Sequence, residues 1–208
     1  MTRGYDRVKR ALDIALAVPL FILTLPVQAV TALVIRVRLG SPVFFRQRRP
    51  GLHGEPFVMV KFRTMLKVDA AHGLVDDASR MTPLGHRLRA TSLDELPTLW
   101  NIIRGDISLV GPRPLLMQYL DRYSSEQARR HEVRPGMTGL AQIAGRNALS
   151  WEDKLRLDVA YVDHHSLLGD LKILFATVRS VVRRDGINAA GEATMAEFLG
   201  SEERNESE

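Results

Sequence analysis

The sequence predicts an α/β protein, mostly helical with a small β-hairpin, in which an N-terminal re-entrant membrane helix-break-helix joins a small globular domain. Three observations predict it: an apolar run of 25 residues near the N-terminus, two β-rich segments separated by turn residues, and helical apolar patterns over much of the remainder. We divide the chain into a membrane segment at residues 1–40, a catalytic domain at 41–198 and an acidic tail at 199–208, whose composition is typical of disorder.

The apolar run at residues 11–35 contains Asp13 as its single charged residue. A straight helix of that length would reach about 37 Å, enough to cross a hydrocarbon core of about 30 Å. Pro26, with Pro19 before it, instead predicts a break, because proline removes a helical hydrogen bond and clashes with the preceding turn. Basic residues flank the run on both sides, and the positive-inside rule places both flanks in the cytoplasm. A re-entrant hairpin is therefore favoured over a span, and a signal peptide or a core helix fits less well.

The remaining elements follow from turn residues and apolar spacing. The predicted strands are 42–48 and 57–65, followed by helices at 84–90, 94–104 and 115–133, with an interruption of the last helix left open near Ser124 and Ser125. A strand or extended loop at 137–147, a helix capped by Ser150 and ending near residue 164, and a helix at 167–184 follow. The last helix has an apolar side and basic residues, which fits either a membrane surface or packing in the core.

Charge and cysteine content exclude several classes of protein. The net charge is +5, but residues 1–60 hold 9 basic and 3 acidic residues, so the excess is local to the N-terminal third. This distribution favours an anionic membrane surface as the partner and disfavours nucleic acid. The absence of cysteine excludes disulfides, thiolate zinc sites and cysteine nucleophiles.

Two adjacent carboxylates, Asp94 and Glu95, lie at the predicted start of a helix. Ser92 with Glu95 three residues later also matches an ordinary capping box. Arg89 upstream and the helix N-terminus both favour the ionised carboxylates. An ionised Asp94 can act as a nucleophile, and a neighbouring Glu95 can hold a divalent cation.

Further cations are candidates for a phosphate site, although a solvated surface charge is the default for each of them alone. Lys61 and Arg63 are two residues apart on a predicted strand and hence on one face. A rigid Gly-Pro-Arg-Pro turn presents Arg113, and Arg146 follows a glycine-containing loop. The familiar phosphate-loop, dinucleotide-binding, nucleophile-elbow and zinc-protease motifs are all missing, which disfavours a lipid kinase or phosphatase.

Several motifs in one order resemble those of the bacterial sugar transferases called monotopic phosphoglycosyl transferases. The resemblance covers nearly the whole chain, and its length resembles the small members that initiate N-linked protein glycosylation. The motifs here are Lys9-Arg10 with Asp13, and residues 49–52, 61–65, 92–96, 105–114, 133–136 and 145–147.

The resemblance implies a re-entrant membrane helix at the cytoplasmic face of the bacterial inner membrane and transfer of a phospho-sugar from a UDP-sugar to polyprenyl (undecaprenyl) phosphate, with release of UMP. Asp94 would be the nucleophile that forms a covalent phospho-sugar intermediate in a ping-pong scheme, and Glu95 would bind Mg²⁺. The positions of Lys61, Arg89 and Arg113 match residues near the phosphates, and Arg146 matches a candidate for the nucleotide.

Several alternatives stay open. UDP-N,N'-diacetylbacillosamine is the donor that the resemblance favours, beside other UDP-N-acetyl amino sugars, UDP-galactose and UDP-glucose. Membrane lipids are expected partners, whereas downstream glycosyltransferases and a homodimer are left open. A non-catalytic membrane-surface scaffold of glycan assembly is the competing class. The chain departs from the family pattern at Leu25, Leu140 and Ala144, which puts the geometry of the break and the sugar or lipid preference in question.

Overall fold

The computed structural model of the protein describes residues 3–145, 149–183 and 197–200. The helices of this part are α1 (Arg3–Arg38), α2 (Asp77–Arg80), α3 (Pro83–Ala90), α4 (Leu99–Arg104), α5 (Ser125–Ala128), α6 (Leu140–Ala144), α7 (Trp151–His164) and α8 (Leu167–Arg183). Short 3₁₀ segments occur at Leu52–Gly54, Ala70–His72, Leu93–Thr98, Met117–Arg122 and Arg129–His131. The predicted fold, mostly helical with small sheets and an apolar N-terminal helix beside a small globular domain, is confirmed.

Helix α1 runs through both prolines as one helical element, so the predicted break at Pro26 is not seen as an end of helical structure. Side chains near Pro26 form hydrogen bonds within α1. The Thr24 hydroxyl donates to the carbonyl oxygens of Leu20 (2.7 Å) and Phe21 (3.1 Å), and Gln28 Nε2 donates to Thr24 Oγ1 (3.0 Å). Such hydroxyl bonds within a helix satisfy carbonyls without water and tend to bend the helix.

One face of α1 packs on the globular domain along most of its length. Asp13, Ala17, Gln28, Thr31 and Ile35 are buried, and their spacing places them in one stripe. Most side chains on the other faces of the middle of α1 are apolar and exposed, and α1 is the one helix of the described residues that is long and apolar enough to cross a membrane.

Both halves of α1 are fastened to the same domain. In the first half, Arg10 donates to the carbonyls of Ile102 (2.6 Å) and Ile103 (2.8 Å). In the second half, Ile35 packs against Phe62 and Leu88. The helix therefore lies along the domain and does not leave it at one end.

The predicted hairpin is confirmed. Strands β1 (Phe44–Pro50) and β2 (Pro56–Phe62) pair antiparallel with Phe44 opposite Phe62 and Pro50 opposite Pro56. A second, parallel pair joins β3 (Ser108–Val110) to β4 (Gly136–Thr138), and β3 was not predicted. This pair lets two backbones approach so closely that a Cβ on Gly136 would lie 2.1 Å from the Gly111 nitrogen.

Three predicted elements differ in part from the structure. The pattern at 115–133 forms two 3₁₀ segments and α5, and the interruption expected near Ser124 and Ser125 is found there, because Ser124 caps α5 by accepting from the Gln127 amide. The helix expected at 94–104 begins as the 3₁₀ segment Leu93–Thr98 and is α-helical over Leu99–Arg104. The strand or extended loop expected at 137–147 contains the short strand β4 and then α6, in which Leu140 packs against the cluster of Val110, Tyr161 and Ile173. Helix α3, helix α7 with its Ser150 cap, and helix α8 lie close to their predicted positions.

Candidate active site

The 3₁₀ segment Leu93–Thr98 carries Asp94 and Glu95 and is fixed to β2 by side-chain bonds. Thr98 Oγ1 donates to the Val60 carbonyl (2.9 Å), and Asn101 Oδ1 accepts from the Val60 amide (3.1 Å). Thr98 and Asn101 were not predicted, because no local sequence pattern identifies them as partners of a strand about 40 residues away. Their bonds bring Lys61 of β2 beside the two carboxylates.

Ser92 does not form the capping box that its spacing suggested. It makes no side-chain cap bond and adopts a left-handed conformation with φ of 55°. A left-handed backbone is uncommon for a residue with a Cβ, and such strain is often found at functional sites. The Ser92 side chain therefore does not cap the helical segment that carries Asp94.

Glu95 is the anionic centre of an ion-pair cluster. Its Oε1 accepts from Lys61 Nζ (2.5 Å) and from Arg113 Nη2 (3.2 Å). Burial alone would raise the pKa of Glu95, but the two cations outweigh it and lower the pKa to about 2. Glu95 therefore stays ionised, as the sequence predicted.

Asp94 is 8% exposed and lies in a different electrostatic setting. Burial and the charge of Glu95 raise its pKa to about 6, against the opposing effect of Lys61, Arg89 and Arg113. The carboxylate of Asp94 is therefore more basic than that of Glu95. At neutral pH the carboxylate form still predominates, with a basicity closer to that of a catalytic base or nucleophile.

Arg89, the third cation near Asp94, is oriented by a residue that follows β2. Its Nε donates to the hydroxyl of Thr64, a buried residue just beyond the strand (3.1 Å). Lys61, Arg89 and Arg113, predicted from three separate stretches of sequence, are therefore brought together around Asp94 and Glu95. Arg146, the fourth candidate, lies outside the described residues.

Arg63 corrects the sequence interpretation. Its side chain is buried, and Nη2 donates to the carbonyl oxygens of Leu39 (2.5 Å) and Gly40 (2.8 Å), immediately after α1. Arg63 therefore fastens the end of the membrane segment and does not join the phosphate cluster. Alternation along β2 fails to place it because the strand ends at Phe62.

Mg²⁺ is the metal ion that the sequence resemblance places at Glu95. The described residues contain no group of three or more His, Asp or Glu side chains able to hold a metal. Mg²⁺ commonly binds one or two carboxylates and completes its shell with substrate phosphates and water. Both cations contact Oε1 of Glu95, and among the described residues Oε2 has no hydrogen-bond partner, so Glu95 could hold such an ion through Oε2.

A buried carboxylate beside one lysine and two arginines is an arrangement that suits phosphate-group chemistry, and its domain packs on a long apolar helix. Comparison with known proteins gives the family. The bacterial sugar transferase model matches residues 4–184, and the chain belongs to this family.

The chain is similar to an uncharacterized sugar transferase, EpsL, of Bacillus subtilis, at 52% identity over 93% of this chain and 96% of that one. It is also similar to the UDP-glucose:undecaprenyl-phosphate glucose-1-phosphate transferase of Caulobacter vibrioides, at 41% identity over 86% of this chain and 72% of that one. A third relative is the undecaprenyl-phosphate galactose phosphotransferase of Salmonella typhimurium, at 36% identity over 86% of this chain and 41% of the longer relative.

Proposed function

We propose that this protein transfers a sugar-1-phosphate from a UDP-sugar to undecaprenyl phosphate and releases UMP. The observation that carries the proposal is the buried Asp94 carboxylate with Lys61, Arg89 and Arg113 around it. The activities for which the relatives from Caulobacter vibrioides and Salmonella typhimurium are named support the same reaction.

Asp94 acts as the nucleophile of the first half-reaction. One carboxylate oxygen forms a bond to the β-phosphorus of the UDP-sugar, and the bond from that phosphorus to the bridging oxygen breaks, so UMP leaves with the electron pair. An anion attacking a dianionic diphosphate meets like-charge repulsion, which Lys61, Arg89 and Arg113 offset. A carboxylate with a pKa near 6 is also a stronger nucleophile than an ordinary aspartate.

The second half-reaction regenerates Asp94. A phosphate oxygen of undecaprenyl phosphate forms a bond to the same phosphorus, and the bond to Asp94 breaks, giving a lipid diphosphate-sugar and a free carboxylate. Glu95 would hold Mg²⁺ through its available oxygen, and a bound Mg²⁺ neutralises diphosphate charge. Lys61 and Arg113 keep Glu95 ionised in both half-reactions.

The arrangement of α1 supports a re-entrant anchor at the cytoplasmic face of the bacterial inner membrane. Asp13 and Ile35 are 22 residues apart, about 33 Å along a straight helix, yet both are buried against one domain. A helix crossing the bilayer upright would carry one of these contacts through the hydrocarbon. Exposed Leu168 and Phe175 on α8 extend the apolar surface beside α1.

The donor sugar is the finer part of the proposal. The two relatives with a named activity transfer glucose 1-phosphate and galactose phosphate, which supports a UDP-hexose donor. UDP-N,N'-diacetylbacillosamine, favoured by the sequence resemblance, stays a prediction and belongs in the same panel of donors.

The test is UMP release by the purified protein in nanodiscs with Mg²⁺, undecaprenyl phosphate and a panel of UDP-sugars. We expect UMP with one donor, and a loss of at least about 10³-fold in Asp94→Asn, because the nucleophile is removed. Asp121→Asn, which changes an exposed carboxylate, is the matched control. A phospho-sugar adduct on Asp94, detected by mass spectrometry without acceptor lipid, is the second readout. Equal turnover in Asp94→Asn would refute the mechanism, and no UMP or adduct with any donor would favour the scaffold.

A further inference from the structure

Behind the candidate active site lies a fully buried ion pair that the chemistry above does not use. Arg130, in the 3₁₀ segment Arg129–His131, donates through Nη2 (2.6 Å) and Nε (3.1 Å) to one carboxylate oxygen of Asp158 on α7. Their side chains are 1% and 5% exposed. Removing two charges from water is costly, and well-packed apolar residues are often as stabilising as a buried ion pair. Stability alone is therefore a poor account of this pair.

The remaining donors of Arg130 reach toward the active site. Nη2 also donates to the backbone carbonyl of Arg113 (2.7 Å), and Nη1 donates to the Tyr123 hydroxyl (3.2 Å). Arg113 is the residue whose own Nη2 contacts Glu95 at 3.2 Å. The buried pair is thus connected to the catalytic cluster through the backbone of a single residue.

The Pro112–Pro114 loop is held at three successive carbonyls. Pro112 O accepts from the Gly136 amide (2.9 Å), Arg113 O accepts from Arg130, and Pro114 O accepts a long bond from Arg49 Nη1 (3.5 Å). The prolines on either side restrict the backbone φ of their own positions. Among these bonds, the one from Arg130 is both short and charge-assisted, so it has the largest influence on where Arg113 points.

We propose that Arg130, neutralised by Asp158, is a positioning residue that fixes the Arg113 loop so that the Arg113 guanidinium meets Glu95 and the substrate phosphates. The inference rests on the proposed transferase function. Arg130 acts through Arg113 and touches neither carboxylate of the cluster. A displacement of about 1 Å in a catalytic group can lower a rate by about a hundredfold.

A neighbouring ion pair provides the control. Arg129 and Asp163 join the same 3₁₀ segment to the same helix α7, but they lie at the surface, and Arg129 also pairs with Glu126 and Glu132. The test compares the double replacement Arg130→Met/Asp158→Leu with Arg129→Met/Asp163→Leu. Both replace an ion pair by apolar residues, and only the first removes a bond to the Arg113 backbone. Arg130→Lys is the second inner variant, because it keeps the charge opposite Asp158 but lacks the fork that reaches Arg113 and Tyr123 together.

The expected result is a fall of about ten- to a hundredfold in the single-turnover rate of UMP formation for both inner variants, and less than a twofold change for the outer variant. In an Arg113→Ala background the inner replacement should cost less than a further twofold, because its effect passes through Arg113. A loss that adds fully to that of Arg113→Ala would overturn the proposal, as would an inner variant with the wild-type rate.

Hydrogen exchange gives a readout that needs no turnover. The Gly136 amide, which donates to the Pro112 carbonyl of the loop, should exchange faster in the inner variants and at the wild-type rate in the outer variant. Unchanged exchange would refute the positioning role even in an active enzyme. Faster exchange in a protein that forms no UMP would refute only the transferase function.

Discussion

Arg63 shows most clearly how a residue predicted for one task performs another. Its guanidinium bonds two carbonyls at the end of α1. Arg63→Gln should therefore lower the free energy of unfolding by about 1–3 kcal/mol, the cost of unpaired buried carbonyls, while the amount of covalent adduct on Asp94 stays normal. Thermal unfolding in nanodiscs and adduct mass spectrometry check the two parts. Arg46→Gln, exposed on β1, should change neither. A lost adduct with unchanged stability would restore the phosphate-binding interpretation.

His131, next to Arg130, is a second residue with a testable consequence. Its Nε2 is buried without a hydrogen-bond partner among the described residues. Burial and the charge of Arg130 lower its pKa from 6.5 to about 4. The unfolded chain therefore binds a proton that the folded chain refuses, and stability falls as pH drops from about 6.5 toward 4. At about 1.4 kcal/mol per pKa unit, the full loss is about 3 kcal/mol.

Unfolding temperatures measured between pH 7.5 and 4.5 would test this dependence. His131→Phe should show a shallower decline than the wild type, because it removes the titrating ring. His164→Phe, at an exposed histidine, should keep the wild-type slope. Identical slopes in all three proteins would rule out His131 as the source.

At the scale of elements, the chain predicts hairpins and helices better than it predicts short or interrupted pieces. The turn residues between β1 and β2 identify the hairpin, and Ser150 identifies the start of α7. Strand β3 has three residues and no alternation, so its existence depends on pairing with β4, which is 28 residues away along the chain.

Helix α1 gives the prediction at this scale. The chain has no cysteine, so single cysteines at Arg7 and Ser41 report the side of each end cleanly. Both should react with an impermeant reagent from the same face of sealed vesicles, because the two halves of α1 pack on one domain. Pro26→Ala should shift part of the protein toward opposite-side labelling, since it restores a helical hydrogen bond and favours a straight span. Opposite-side labelling of the wild type would exclude the re-entrant anchor.

At the scale of the whole molecule, the described C-terminal residues return to the domain. Phe198 is 3% exposed, and its ring centre lies 5.4–5.6 Å from those of Tyr119, Tyr123 and Trp151. Phe198→Ala should cost about 3–5 kcal/mol and lower the unfolding temperature by about 10 °C. Leu199→Ala, at a residue 81% exposed, is the control and should leave it unchanged. An unchanged melting temperature in Phe198→Ala would mean that the segment is not docked in solution.

The sequence predicted which residues belong to the candidate site, but only the structure shows that they lie together. Asp94 and Glu95 are adjacent in sequence, so their pairing was visible. Lys61, Arg89 and Arg113 come from a strand, a helix and a loop, and the resemblance to a family, not any spacing, connected them. The buried partners Thr98, Asn101 and Arg130 carry no local signal, because what selects them is a carbonyl or amide of a distant segment.

The end of β2 connects the candidate site to the backbone just beyond α1. Lys61 contacts Glu95, and Arg63, two residues and about 7 Å further, grips the backbone just beyond α1. Residues 61–63 therefore fix the distance between the end of α1 and the carboxylates of Asp94 and Glu95. With α1 as the proposed membrane anchor, the depth of α1 in the bilayer would set the height of Asp94 above the hydrocarbon. We expect acceptor lipids to be selected by how far their phosphate projects and not by the length of their tail.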